Sequence, residues 1–265
     1  MKKIKKILKI SIWGLLIAGV AVLLGFIEVE QSDRPIRKIL INITYGKADK
    51  LITASDIDSV LKKNKGEVKG KPLGMINTAE IANLIRKQAY VSKVKVYETN
   101  EGYLKIEILQ REPILRIINQ NQEGFYLDRE GNPLPLNPGF PAHVLVANGF
   151  IKDSYIKNPK LRASLSSDPK RSDSLLSGLF KLALFLIQDP YFKTAIDQVY
   201  VNERQEIELI PWKGNHVVLL GNVDDLEEKL HKLYIFYTKG LDEIGWNKYQ
   251  MINIKYKNQV ICSKL

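Results

Sequence analysis

Between Ile10 and Ile27 the chain carries no charged residue, while the leader before it holds Lys2, Lys3, Lys5, Lys6 and Lys9. No acidic residue appears before Glu28. A helix rises about 1.5 Å per residue, so this run reaches roughly 27 Å, close to the hydrocarbon thickness of a bilayer. A slight tilt or the snorkelling of Lys9 makes up the difference. The run therefore reads as a single membrane-spanning helix, 10–27. Lysines on one flank alone favour the cytoplasmic side, which leaves residues 1–9 inside as a short tail and residues 28–265 outside. A cleaved signal peptide shares the basic start, but its apolar part covers about 7 to 15 residues, and residues 23–30 offer no small-x-small cleavage site. An uncleaved anchor is the expectation.

The length beyond the anchor suffices for two compact domains with their own cores. The net charge of +11 falls to +6 once the five leader lysines are set aside as topological signals. The remaining basic residues alternate with acidic ones, as Lys62 and Lys63 do with Asp56 and Asp58, and no basic stripe interleaves with aromatics. This pattern argues against a nucleic-acid partner. Cys262 is the single cysteine, so no intramolecular disulfide exists, and its neighbours Val260 and Ile261 make it a small strand residue.

Residues 28–35 read as a linker and 36–112 as one β-α-α-β-β unit. Ile39, Ile41 and Ile43 alternate with Leu40, Asn42 and Thr44, the period of a strand with one buried face. Thr53 to Asp56 resembles a capping box, followed by Ile57, Val60 and Leu61 at helical spacing up to Gly66. Asn77 and Glu80 signal a second helix start. Val94 and Val96, then Leu104, Ile106 and Ile108, mark two strands joined by a turn at Asn100–Gly102.

Pro113 breaks the alternation, and a second domain, 113–265, begins there. Its strands are expected at Gly124–Leu127, His143–Ala147, Val199–Val201, Glu206–Ile210, Val217–Leu220, Met251–Tyr256 and Gln259–Cys262, short and mainly antiparallel. Ser172 or Asp173 caps a helix through Leu176, Leu179, Leu182 and Leu186 that stops at Asp189-Pro190, and Asp224 or Asp225 caps another through Leu230 and Leu233. The first of these reads as a buried core helix, since Lys181 interrupts it and it is too short to span. Residues 151–171 are polar and read as a surface insertion. The fold class is α+β: an anchor, a β-α-α-β-β domain, and a mixed, mainly antiparallel β domain with flanking helices.

No catalytic constellation emerges. His143, His216 and His231 are scattered, outside any HExxH spacing, and read as partly exposed structural residues. There is no G-x-S-x-G elbow, no P-loop and no dinucleotide fingerprint, and the acidic pairs Asp224-Asp225 and Glu227-Glu228 sit at a helix start, where they serve the dipole. No catalytic, metal or cofactor residue is assigned.

The anchor, the β-α-α-β-β unit and the second domain, in that order, resemble the FtsQ/DivIB family of bacterial cell-division proteins. Residues 36–112 resemble its POTRA domain. Gln110-Arg111-Glu112-Pro113 matches the family's Q/E-R-x-P junction, and Phe125 to Gly131 its Y-x-D-x-x-G start of the β domain. Gly240 to Trp246 and Ile252 to Tyr256 are similar to its last helix and closing strands. The chain departs from the family in its short cytoplasmic tail and in the insertion at 151–171. The resemblance implies a non-enzymatic scaffold of the inner membrane at the division septum, which recruits FtsB/FtsL-like partners and links early to late proteins of septal peptidoglycan synthesis. It also implies contacts with other membrane division proteins through the POTRA domain and membrane helix. Two readings stand beside it: a POTRA-containing envelope assembly factor, and an anchored peptidoglycan enzyme.

The resemblance implies a partner site on the closing segment: Ile252, Asn253, Ile254, Lys255, Tyr256, Asn258, Val260, Ile261 and Cys262; the alternative reading makes Tyr256 a core residue only. In a continuous strand Ile252, Ile254 and Tyr256 share one face and Asn253 and Lys255 the other, with a turn or bulge at Asn258. A terminal strand at a sheet edge presents unpaired N–H and C=O groups to a partner strand.

Overall fold

The computed structural model describes residues 13–20, 35–155 and 174–264. Residues 13–20 are helical, and the rest of the expected span, Ile10–Ile27, lies outside the described residues. Among the described residues no helix is long and apolar enough to cross a membrane. The chain divides into two compact units: Ile52–Gln110 with the chain up to Thr44, and Tyr45–Leu51 with Arg111–Leu265.

The first unit runs β1 (Lys38–Thr44), α1 (Ala54–Lys65), a 3-10 turn (Leu73–Met75), α2 (Thr78–Arg86), β2 (Val91–Glu98) and β3 (Tyr103–Gln110). β3 lies in the middle of the sheet, parallel to β1 and antiparallel to β2. Helix α1 starts where the sequence places a capping box: Asp56 N donates to Thr53 Oγ1 at 3.3 Å, and Thr53 N donates to Asp56 Oδ2 at 2.8 Å. Such a cap contributes about 1 kcal/mol. At the far end Gly66 adopts φ +66°, which a side chain would strain. Glu80 N donates to Asn77 Oδ1 at 3.0 Å, capping α2 in the same way. Ile39, Ile41 and Ile43 register with Leu104, Ile106 and Ile108, and this row packs with Ile57, Leu61, Ile81 and Ile85 of the helices.

The second unit runs β4 (Pro113–Ile118), β5 (Gly124–Asp128), β6 (Pro133–Pro135), β7 (Leu145–Gly149), α3 (Leu175–Gln188), α4 (Phe192–Ala195), β8 (Ile196–Val201), β9 (Ile207–Pro211), β10 (Val217–Gly221), α5 (Leu226–Ile235), a π turn (Phe236–Leu241), β11 (Tyr249–Asn253) and β12 (Ile261–Lys264). All nine strands form one sheet in the order β12-β11-β10-β9-β8-β7-β4-β5-β6. Its pairs are mainly antiparallel, with β4, β7 and β8 forming a parallel run and β10 parallel to β11. Leu115, Val199, Leu209, Val218 and Ile252 point to one face, where α3 and α5 bury Leu179, Leu182, Leu230 and Leu233 against them.

Several boundaries differ from the sequence reading. Pro113 opens β4 instead of merely separating domains, because a proline is tolerated as the first residue of a strand. Strand β6 holds two prolines, which argue against a strand anywhere but at an edge, and an edge is where it lies. Strand β7 begins at Leu145, two residues after His143. Helix α3 is capped by Ser174, whose Oγ accepts from Ser177 N at 3.2 Å; Ser172 and Asp173 lie outside the described residues. The helix is buried as expected and ends where Asp189 Oδ1 accepts from Tyr191 N and Phe192 N. Of the expected insertion, residues 151–155 belong to the fold. Ile151 is fully buried and its carbonyl accepts from Gln120 N at 2.9 Å.

Candidate functional site: the closing strand and its edge

Among the described residues, strand β12 has a neighbour on one side only. The hydrogen bonds of β11 fix which of its backbone groups are left over. Ile254 N donates to Leu219 O at 3.1 Å, so the N–H and C=O groups of Ile254 and Ile252 turn towards β10 and those of Asn253 and Met251 towards β12. Asn253 pairs with Ile261 and Met251 with Ser263. Ile261 and Ser263 are thereby bonded to β11, and by alternation the groups of Cys262, with Val260 just before the strand, point away from the sheet, while at Lys264 the register shifts and this residue pairs with Tyr249.

The opposite edge is closed chemically. Asp128 N donates to Asn132 O at 2.9 Å, so Asn132 and, two residues on, Leu134 face β5. The outward positions of β6 are then Pro133 and Pro135, which have no N–H to offer.

The expected site residues separate into three groups. Ile252 and Ile254 are fully buried in the core. Asn253 and Lys255 hold the chain as it leaves the strand: Lys255 N donates to Asn253 Oδ1 at 3.0 Å, the Lys255 ammonium pairs with Glu206, and its stem lies over Gly221. A Cβ at Gly221, where φ is +79°, would stand 2.7 Å from Lys255 Cγ. The Lys255 contact holds the Glu206 carboxyl below its usual range. The exposed group is Tyr256, at 47%, and Ile261, at 45%, with Val260 and Cys262 half-buried between them. Burial pushes the Cys262 thiol up.

A single face shared by Ile252, Ile254 and Tyr256 is therefore corrected. The strand ends at Asn253, and Tyr256 lies in the turn between β11 and β12, on the surface. Asn258 does mark a turn, with φ +59°. Helix α5 holds this turn in place, since Lys232 Nζ donates to the carbonyls of Ile254 and Tyr256, and Lys257 pairs with Asp225 at 3.3 Å. Lys232 carries no sequence signal for this role, because its partners lie more than twenty residues away. Beside the edge, Phe236 and Tyr249 bring their rings to 6.1 Å.

The histidines also need correction. His216 is buried rather than partly exposed, with Nε2 2.8 Å from the Tyr237 hydroxyl, while His143 and His231 are exposed. Burial lowers the His216 pKa, opposed in part by the backbone of Trp246, and it raises that of Tyr237.

The two sequence motifs at the start of this unit grip each other. Arg111 Nη1 donates to Asp128 Oδ2 at 2.7 Å, and next to it Arg129 meets Glu112 through two hydrogen bonds of 3.1 and 2.9 Å. Asp128 Oδ1 accepts from Glu130 N and Asn132 N, which builds the turn before β6.

A family model described as POTRA-like domain matches residues 35–109. A second, described as FtsQ/DivIB, C-terminal related, matches residues 112–263, more than half of the chain. A comparison with curated proteins found no match. With nearly the whole nine-stranded sheet inside the matched span, from β4 to Ser263 of β12, the chain belongs to the family of FtsQ/DivIB, C-terminal related proteins.

Proposed function

We propose that this protein is a non-enzymatic scaffold of cell division that takes a strand from an FtsB/FtsL-like partner at the β12 edge. The observation that carries the reading is the outward set of backbone groups at Val260 and Cys262, flanked by exposed Tyr256 and Ile261. Strand addition supplies main-chain hydrogen bonds, and an exposed aromatic beside the edge supplies contact area at low entropic cost. Family membership supports the division role. In the same proposal residues 1–9 are a cytoplasmic tail, 10–27 a single-pass anchor in the inner membrane and 28–35 a linker. The POTRA domain (36–112) and the β domain (113–265) then stand outside, at the septum, where the POTRA domain and anchor meet other membrane division proteins.

Depletion with microscopy tests the role. Filamentous cells that divide again when the full chain is restored, but not when it carries Cys262→Pro, are the expected result. Normal division on depletion refutes the role, and full rescue by a stably folded Cys262→Pro chain refutes the edge.

A further inference from the structure

The three adjacent parallel strands β4, β7 and β8 end together, and just beyond their carboxyl ends lies an open cavity of about 350 Å³. It is lined by Ile118 at the end of β4, by Asn148, Gly149 and Phe150 at the end of β7, by Tyr200 of β8, and by Gln120 and Gln122 of the turn between β4 and β5. Crevices at the carboxyl ends of parallel strands are where open sheets bind small ligands, since the strands fix the walls while the turns supply side chains.

The walls are rigid. Asn148 registers opposite Tyr200, Phe150 N donates to Val201 O at 2.9 Å, and Gln205 Nε2 donates to Phe150 O at 2.7 Å. Gly149 has φ +100°, and a Cβ there would stand 2.2 Å from Val201 O and 2.9 Å from Tyr200 Cε2. Only glycine lets the Tyr200 ring lie this close to the backbone.

The chemistry of the lining is selective. No charged side chain is among the lining residues, although charged residues make up 26% of the chain. The Gln120 and Gln122 amides make no hydrogen bond among the described residues, and Asn148 uses only its Oδ1, which accepts from Gln198 Nε2 at 2.9 Å. The carboxylate nearest in the ladder, Glu208 opposite Tyr200, is held by Asn202 Nδ2 at 2.8 Å. A site without cations does not favour an anion, and one without carboxylates does not favour a cation. Amides both donate and accept, as hydroxyl groups do, and the aromatic residues Phe150 and Tyr200 in the lining suit a ligand with one apolar C–H face.

From the rigid crevice, its neutral amides and its two aromatic rings, we infer that this cavity binds a neutral saccharide, with a pyranose ring against Tyr200 and its hydroxyl groups on Gln120, Gln122 and Asn148. The site is several strands away from β12 and independent of the partner proposed there.

Saturation-transfer NMR tests this on the full chain, held in a detergent without a sugar head group. The probes are tetra-N-acetylchitotetraose in one arm and maltotetraose in the other, which separates an acetamido sugar from a plain glucan. The expected result is binding of one of them with Kd between about 0.1 and about 10 mM, weakened at least about tenfold by Tyr200→Ala with circular dichroism and thermal midpoint unchanged. If Tyr200→Ala lowers the midpoint, Gln120→Ala, in an exposed turn, takes its place with the same expectation. No saturation transfer to either probe overturns the inference, as does transfer undiminished in the folded variant. Retention of partner binding by Tyr200→Ala keeps this outcome separate from that of the scaffold reading.

Discussion

Arg111 and Asp128 meet at 2.7 Å across the first two strands of the nine-stranded sheet, and the Asp128 side chain is only 3% exposed. Removing the carboxylate takes from the guanidinium its short hydrogen bond, leaving only Glu130 at 3.9 Å, and frees two turn N–H groups that Asp128 accepts from. Asp128→Ala is expected to cost about 3 kcal/mol in urea unfolding. Arg129→Ala, which breaks the more exposed pair with Glu112, is expected to cost less than about 1 kcal/mol. Equal losses in the two variants would contradict the assignment of the strength to the buried pair.

His216 supplies a pH dependence. Its folded pKa lies below the ordinary value of 6.5, so the unfolded chain binds more protons as the medium acidifies. The contribution of the neutral, buried imidazole is complete above about pH 6.5 and is lost as pH falls through and below that value. Melting curves from pH 8 down to about 5 should show stability falling in the acid half. His216→Leu should remove that component and lower stability at neutral pH by about 1 to 3 kcal/mol, because the Tyr237 hydroxyl loses its partner. An unchanged acid slope in the variant would assign the effect to other groups.

Ile254 and Tyr256, two residues apart, should give opposite phenotypes. Ile254→Ala empties a fully buried position and is expected to cost about 2 to 5 kcal/mol of stability. Tyr256→Ala, at the surface, should leave the melt nearly unchanged and weaken binding of the partner by about 1 to 4 kcal/mol. Calorimetry and pull-down on the same two proteins separate the effects, and undiminished binding by a folded Tyr256→Ala chain removes Tyr256 from the interface.

Proline scanning reads the direction of the edge. Cys262→Pro deletes an N–H that points away from the sheet and is expected to weaken strand addition at least about tenfold with β11–β12 pairing kept. Ser263→Pro deletes one that bonds to β11 and should destabilise the fold by about 3 kcal/mol. The reverse pattern in melts and binding would show that the edge faces the other way.

Much of this was legible in the chain itself because the forces are local. Thr53 and Asp56 sit within one turn, and the capping box they predict is the one that forms. Asn77 and the isoleucine alternation of β1 read equally well, as does Asn258 in its turn. The end of β11 was not legible. Alternation alone carries Ile252 and Ile254 on to Tyr256, but the Asn253 side chain captures Lys255 N, a local bond that competes with the ladder. Lys255 then follows Gly221 and Glu206, both more than thirty residues away, and no window of sequence contains that information. The same distance hid the burial of His216 against Tyr237. In β6 the misleading signal was composition, since Pro133 and Pro135 argue against a strand everywhere except the one place they occupy.

Those two prolines set the valence of the sheet. A chain of copies joined edge to edge needs a donor edge and an acceptor edge on every copy, and here one edge has lost its donors. Through this sheet a strand added at β12 has no counterpart at β6, so edge-to-edge addition between copies does not propagate into a fibre. The limit on such growth is written into the backbone of β6, at the opposite side of the sheet from β12.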